Sequence, residues 1–297
     1  MFAGGEIEGL EIYEVRAGDE LEVIRGLALK TWGEGAADSV ATLMIHARYG
    51  GVVLLARLHG VPVGFSYAFP VYYREEFVLW SHETAVLEPD RHIGRTLKLR
   101  QFEIASRLGY ATIAWTFDPL IARNAYFNLV VLGATVTDFV PDAYSGPVDS
   151  PAGSTPTTDR FIVTYRLGNA LSNRGASLGM HAERTVPRWW DGDDPRTVWL
   201  LQGDGEAPVL KRLRDEEGAG KNELELCVAI PDFSGLGRPV PAAVRAQWSL
   251  PFRTVMLDAF TRGLRPVGVV RRSDGSVHGY HMRYGHSNLR DAYSSDS

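Results

Sequence analysis

Two β-rich runs, VVLLARL and VPVGFSYAF, are separated by nothing but His59-Gly60. A two-residue connection carrying a glycine folds such runs back on each other as an antiparallel hairpin. A third strand-like run, FVLWSHETAVL, follows closely and extends the same sheet. The rest of the first half is arranged around this core. Ahead of it come the strand LEIYEVR and the helix ELEVIRGLALKTW, with Asp19 placed as its N-cap. A second helix, VATLMIHARY, is capped by Ser39 and ended at Gly50-Gly51. Behind the core comes the helix RTLKLRQFEIASRL, whose apolar face takes in Leu97, Leu99, Phe102, Ile104, Ala105 and Leu108. The strand ATIAWTF stops at Asp118-Pro119, and the helix ARNAYFNLVVLG closes at Gly133. Two strands, ATVTDFV and DRFIVTYRL, flank the long loop PDAYSGPVDSPAGSTPTT.

Periodicity fades over residues 168–195, which are rich in Gly, Asn, Ser and charge, so a linker is expected there. It divides residues 1–167 from a smaller region, 196–297. In that region TVWLLQG and LELCVAIPDF read as strands. PAAVRAQWSLPFRTVMLDAFTRG reads as a helix that Pro251 should break or kink, and PVGVVRR and VHGYHMRY as a hairpin turning at SDGS. The class expected is α/β in the α+β sense. A mixed, mostly antiparallel twisted sheet is flanked by helices and followed by a smaller α/β C-terminal region.

A formal charge of -5 and a pI near 5.9 give no basic field for nucleic acid or an anionic membrane, and neither partner is expected. The longest apolar runs fall far short of the ~20 residues that span a bilayer. No secretory-signal pattern precedes Glu11, and the cytoplasm is the expected address. Cys227, the single cysteine, excludes an intrachain disulfide and a thiolate metal cluster. The second half holds His181, His278, His281 and His286; His278 and His281 face opposite sides of a regular strand, so no metal is expected. Trp189-Trp190 beside Arg188 reads either as a stacking patch for a base or sugar or as a pair covering a domain seam.

The turn EPDRHIGRTLKLRQ joins the third core strand to the next helix. Unpaired N–H groups at a helix N-terminus converge on one spot favoured by the helix dipole, and glycine gives a pyrophosphate access to it. AVLEPDRHIGRTL resembles the acyl-CoA pyrophosphate signature of the GNAT superfamily of N-acetyltransferases, and NAYFNLVVLGA resembles its later Asn-bearing helix. The order of elements in residues 11–167 is also that of the superfamily. More narrowly, HETAV, LKLRQ and WTFDPLIARNAYFNLVVLGA resemble a bacterial acetyltransferase-like group with an extra C-terminal region. The resemblance implies acetyl-CoA or another acyl-CoA as co-substrate. Val86, Leu87, Arg91, His92, Ile93, Gly94, Arg95 and Thr96 would hold it, with Asn124 and Asn128 from the later helix. Only one glycine, Gly94, stands where the signature carries two or three.

Acyl transfer to an amine needs a proton acceptor and polarisation of the thioester carbonyl. The resemblance places the base on the strand that contains Ser81-His82-Glu83-Thr84. In a regular strand His82 and Glu83 face opposite sides, so one of them, Glu83 ahead of His82, looks into the cleft unless a bulge intervenes. The position from which relatives supply a thiol acid is Leu129 here, and Tyr126, one turn earlier, is the substitute. Asp118 is read as a contact for the substrate amine, or else as a helix N-cap. The reaction expected is acetyl transfer to a primary amine of a small molecule without a covalent intermediate. The alternative is a non-catalytic module of the same fold with a degenerate CoA site. Residues 196–297 are open to closing the acceptor cleft, completing a sheet, or forming a homodimer contact.

Overall fold

The computed structural model describes residues 7–33, 37–87, 92–144, 158–168, 189–203, 208–210, 225–231, 241–271 and 277–285. Its strands are β1 (Leu10–Glu14), β2 (Val52–Leu58), β3 (Val61–Tyr73), β4 (Glu76–Val86), β5 (Thr112–Phe117), β6 (Thr135–Val140) and β7 (Arg160–Arg166), then β8 (Trp189–Asp191), β9 (Thr197–Gln202), β10 (Val209–Leu210), β11 (Glu225–Ala229), β12 (Leu264–Arg271) and β13 (Val277–Tyr284). The helices are α1 (Glu20–Trp32), α2 (Val40–Arg48), α3 (Ile93–Arg107), α4 (Ala122–Ala125) and α5 (Ala242–Thr261). α4 runs straight on as a π-helix, Tyr126–Val131. One sheet has the order β1-β2-β3-β4-β5-β7-β6, the other β10-β9-β11-β13-β12-β8. The first is mixed and mostly antiparallel, with β4 and β5 its parallel pair.

The chain divides into two compact units, Met1–Trp115 with Tyr165–His181, and Thr116–Thr164 with Ala182–Ser297. This division falls within β5 and β7, whereas composition points to residues 168–195.

In the first unit the β2–β3 hairpin turns at His59 and Gly60, both with positive φ, as a two-residue turn between twisted strands requires. α1 buries Leu21, Ile24, Leu27 and Ala28, and α2 buries Leu43 and Ala47, against Val53, Leu55, Phe65, Tyr67 and Ala85 of the sheet. Full burial of such side chains stabilises by about 1.5–3 kcal/mol each. Ser39 caps α2 by accepting the Thr42 N–H at 3.1 Å. Asp19 makes no side-chain cap bond, because its backbone is already helical at φ -66°, ψ -17°. On the other side of the sheet α3 buries Ile93, Leu97, Lys98, Gln101, Phe102, Ile104 and Ala105. Leu108 of the expected apolar face is 48% exposed.

In the second unit α5 is one unbroken helix through Pro251, so of the break or kink expected there the break does not occur. Trp248 and Ser249 before the proline and Phe252, Val255 and Met256 after it are all buried, so packing on both sides holds the helix together. Phe161 touches Phe139, Phe252, Phe260 and Tyr280, an aromatic core joining β6 and β7 to α5 and β13. β8 falls where a linker is expected. Trp190 donates Nε1–H to Thr197 Oγ1 at 2.8 Å and stacks on His281 at 5.2 Å, so it is a packing residue. Arg188, His181, His286 and the SDGS turn lie outside the described residues, as does most of the long loop before β7. Among the described residues no helix is long and apolar enough to cross a membrane.

Candidate active site

The register of β4 on β3 pairs Thr84 with Ser66 and Glu83 with Tyr67, then jumps to pair Ser81 with Ala68. His82 is the extra residue, so β4 carries a β-bulge there. The alternation expected of a regular strand is thereby undone. Instead of facing opposite ways, His82 and Glu83 gather with Asp38, their ligand atoms all within 4.8 Å of one another. Asp38 immediately precedes the cap of α2. β4 also parts from its other neighbour at this point. The parallel ladder with β5 comprises Leu79–Ile113 and Trp80–Ala114, and from Ser81 to Val86 β4 is laddered to β3 alone.

Tyr67 donates its hydroxyl to Asp38 Oδ2 at 2.8 Å, and His82 Nε2 stands 3.7 Å from the same oxygen. Burial pushes the Tyr67 pKa up, and the bond to Asp38 adds to this, so Tyr67 remains a donor. Burial lowers the His82 pKa by more than Asp38 raises it, and His46 lowers it further. A neutral His82 gives Asp38 no countercharge. Burial, then the negative charge of Asp38, lifts the Glu83 carboxyl from 4.5 to about 7, and no hydrogen bond offsets either effect. A carboxyl so placed gives and takes protons near neutrality. His46 stacks on Phe69 at 4.4 Å, and Phe69 lies 5.4 Å from His82, which makes an aromatic wall beside the carboxylates. Sequence reasoning misses Asp38, His46 and Tyr67, since nothing local ties them to β4. Asp38, His82 and Glu83 are also a donor set that could share a cation.

The turn into α3 begins at His92, whose φ of 55° is left-handed and whose side chain makes no cap bond. Thr96 N–H bonds His92 O at 3.1 Å, and the Thr96 hydroxyl turns back to the same carbonyl at 3.2 Å. The N–H groups of Ile93 and Gly94 precede that bond and have no acceptor within the helix. With the helix dipole behind them they suit an anion. Ile93 is fully buried and anchors the turn, while His92 is exposed. Arg91 lies outside the described residues. Val86 pairs with Gly64, and Leu87 donates its N–H to Val63 O at 2.8 Å, which leaves Leu87 no N–H for a ligand. Thr96 and Arg100 line an open groove of about 480 Å³ with residues 7–10 and Ile12.

The other expected residues lie in the second unit. Asp118 accepts the Leu120 N–H at 3.0 Å and Arg245 at 2.6 Å, with Arg160 at 3.8 Å. Two arginines thus pair with Asp118, which favours a structural role over a contact for the substrate amine. Tyr126 opens the π-helix with the Arg271 guanidinium over its ring at 5.4 Å. Asn128 is buried and donates Nδ2–H to Asn124 O at 2.8 Å, so it does not sit on a wet face; Asn124 is half-buried. Leu129 is buried, and its side chain has no acid to supply.

No protein-family model matches the chain, and no curated protein matches it. Solved structures resemble about half of it. A GNAT family acetyltransferase from Elizabethkingia anophelis with acetyl-CoA bound is 16% identical and covers 54% of this chain and 100% of its own, at a TM-score of 0.44. A putative acetyltransferase from Salmonella typhimurium with its cofactor acetyl-CoA is 17% identical, covering 58% and 99%, at 0.43. The ribosomal-protein-S18-alanine N-acetyltransferase from Escherichia coli is 14% identical, covering 53% and 94%, also at 0.43. These are likenesses of fold alone, and the function proposed below rests on this chain's own residues.

Proposed function

We propose that the protein is an N-acyltransferase that moves an acetyl group from acetyl-CoA to a primary amine of a small molecule by direct attack. One observation carries this reading. The bulge at His82 presents Glu83, with a carboxyl near pH 7, on a strand that leaves its β5 neighbour at the same point. A backbone N–H on the unladdered edge of β4 holds the thioester carbonyl. The N–H groups of Ile93 and Gly94 receive the pyrophosphate, with His92 and Thr96 beside them, and the resemblance adds Arg91 and Arg95 as its cationic contacts. Glu83 takes the proton of the acceptor ammonium, directly or through a water, and neutral His82 is the second acceptor of choice. The freed lone pair attacks the carbonyl carbon; as the oxyanion collapses the C–S bond breaks and CoA leaves as the thiolate. Asp38 attracts the ammonium to this position. The resemblance also implies cofactor contacts from Asn124 and Asn128 and a thiolate acid in Tyr126. The cytoplasm is the address proposed with this reading.

A second reading is favoured by the turn before α3, where Gly94 is the single glycine and His92 occupies a left-handed position. On this reading the fold is kept as a non-catalytic module with a degenerate CoA site. Thiol release from acetyl-CoA over a panel of primary amines, alongside thermal shifts with acetyl-CoA and CoA, separates the two. The enzyme's melting point rises with ligand excess over Kd. It releases thiol with at least one amine, and Glu83→Gln lowers kcat on the order of 10²–10⁴-fold with CoA binding unchanged. No thermal shift at millimolar ligand favours the module.

A further inference from the structure

Behind the bulge, on the face of the sheet that α3 covers, lies a chain of buried polar side chains that acyl transfer does not use. Lys98 Nζ donates to Ser81 Oγ at 2.7 Å and to Gln101 Oε1 at 3.2 Å. Gln101 Nε2 donates to Ser66 Oγ at 2.8 Å, and Ser66 shares a hydrogen bond with Thr84 at 2.8 Å. Lys98 is 3% exposed, Ser81 4%, and Gln101 and Ser66 0%, so none of the four meets solvent. The Lys98 ammonium position is 4.1 Å from the centre of the Trp115 ring, and no carboxylate among the described residues bonds it.

The register shows what these bonds hold. Ser81 directly precedes His82, Thr84 directly follows Glu83, and Ser66 is the β3 residue beside Tyr67. The bulge is thus bracketed front and back from the α3 face by side chains tied to one helix. Slipping the extra residue one place toward Ala85 would set Glu83 opposite Ser66, on the α3 face; slipping it toward Trp80 would carry His82 to that face. The first slip sets Glu83 in competition with Thr84 for Ser66, and the second displaces Ser81 from Lys98; each disturbs a buried bond, and a buried polar group left without its partner is costly.

We propose that Lys98 and Gln101 are positioning residues: by holding Ser81 directly and Thr84 through Ser66, they make His82 and Glu83 the two residues that oppose Tyr67 and so fix Glu83 beside Asp38. Calling Glu83 a base rests on the function proposed above; the bracket itself does not. Burial lowers the Lys98 pKa to about 7, so near neutrality an uncharged amine can occupy the bracket without a carboxylate partner. Burial and Asp38, from the loop before α2, set the Glu83 titration; His82 of β4 shares the cluster, Tyr67 of β3 donates to Asp38, and His46 of α2 acts on His82.

Carboxyl ¹³C labelling of glutamate, with Glu83→Gln to assign the resonance, reads this titration in the folded protein. Wild type should titrate near 7. In Lys98→Met and Ser81→Ala the midpoint should move by about one pH unit or more, because the carboxyl leaves its burial beside Asp38. Lys98→Met takes the donor from Ser81 Oγ and Gln101 Oε1 and should lower the thermal midpoint, so the Glu83 titration, which a merely structural lysine would not move, is the deciding readout. Should Lys98→Met fail to fold, Ser81→Ala, one hydroxyl smaller, decides. A wild-type midpoint in the folded variants overturns the proposal. In turnover, both variants should lose roughly 10-fold or more in kcat with KM for acetyl-CoA unchanged. A displaced titration in a protein that never transfers acetyl keeps the bracket and removes the reaction. An unchanged titration in an active enzyme removes the bracket and keeps the reaction.

Discussion

At Glu83 two unfavourable effects act together, burial first and the charge of Asp38 second, and each leaves its own mark on a pH profile. A carboxyl raised from 4.5 to about 7 is favoured in its protonated form by the fold. The stability it contributes is therefore full below the unfolded value and is lost as pH rises through about 7. Activity runs the other way, because the base is the ionised form. kcat/KM should climb about tenfold per pH unit below 7 and level off above it. Asp38→Asn removes only the second effect, so the limb should move to lower pH while staying above that of an ordinary glutamate. A pH–rate profile of this variant with an unmoved limb would separate Asp38 from Glu83. His82 and Glu83 are legible in the sequence as two ionisable residues in an apolar strand. Asp38 is not, since Ser39 beside it explains the local turn and no periodicity relates a loop before α2 to β4.

At the scale of elements, the hairpin and the starts of α2 and α3 follow from local signals alone: a glycine turn, a serine cap, a run of helix formers. The bulge in β4 and the π-helix after α4 add a residue to a ladder or a turn, and no composition marks where. α3 shows the difference best. Its apolar pattern favours Leu99 and Leu108, yet the helix buries Lys98 and Gln101, because burial follows what the opposing sheet presents, here Ser81 and Ser66. This gives α3 a pH signature of its own. Lys98 titrates near 7 folded and at 10.5 unfolded, so between those values the unfolded chain binds the extra proton and stability rises with pH. Thermal midpoints of the wild type should include that rise from pH 7 toward 10, and Lys98→Met should lose it. An identical pH dependence in the two proteins would mean that Lys98 stays charged in the fold.

For the whole molecule, the composition break at 168–195 suggests that residues 1–167 could stand alone, whereas the packing within the second unit predicts otherwise. Arg253 on α5 bonds Asp159 Oδ1 at 2.6 Å and Asp142 Oδ1 at 2.7 Å, and Arg245 holds Asp118. Asp159 is only 4% exposed, and Tyr280 donates its hydroxyl to Pro119 O at 2.6 Å. A fragment ending at 167 keeps Asp118, Asp142, Asp159 and Phe161 but loses both arginines and the rings of Phe252, Phe260 and Tyr280. Stranding one buried charge costs about 3–5 kcal/mol, against a total of about 5–15 kcal/mol for a typical domain. The fragment should therefore be insoluble or melt without cooperativity by circular dichroism, where the full chain melts sharply. Arg253→Met in the full chain should lower the melting point by a comparable single-site loss, with most of the effect from Asp159, because Asp142 is half exposed. A cooperative melt for 1–167 would instead show that its β-sheet needs nothing from α5, and would place the boundary at 168 after all.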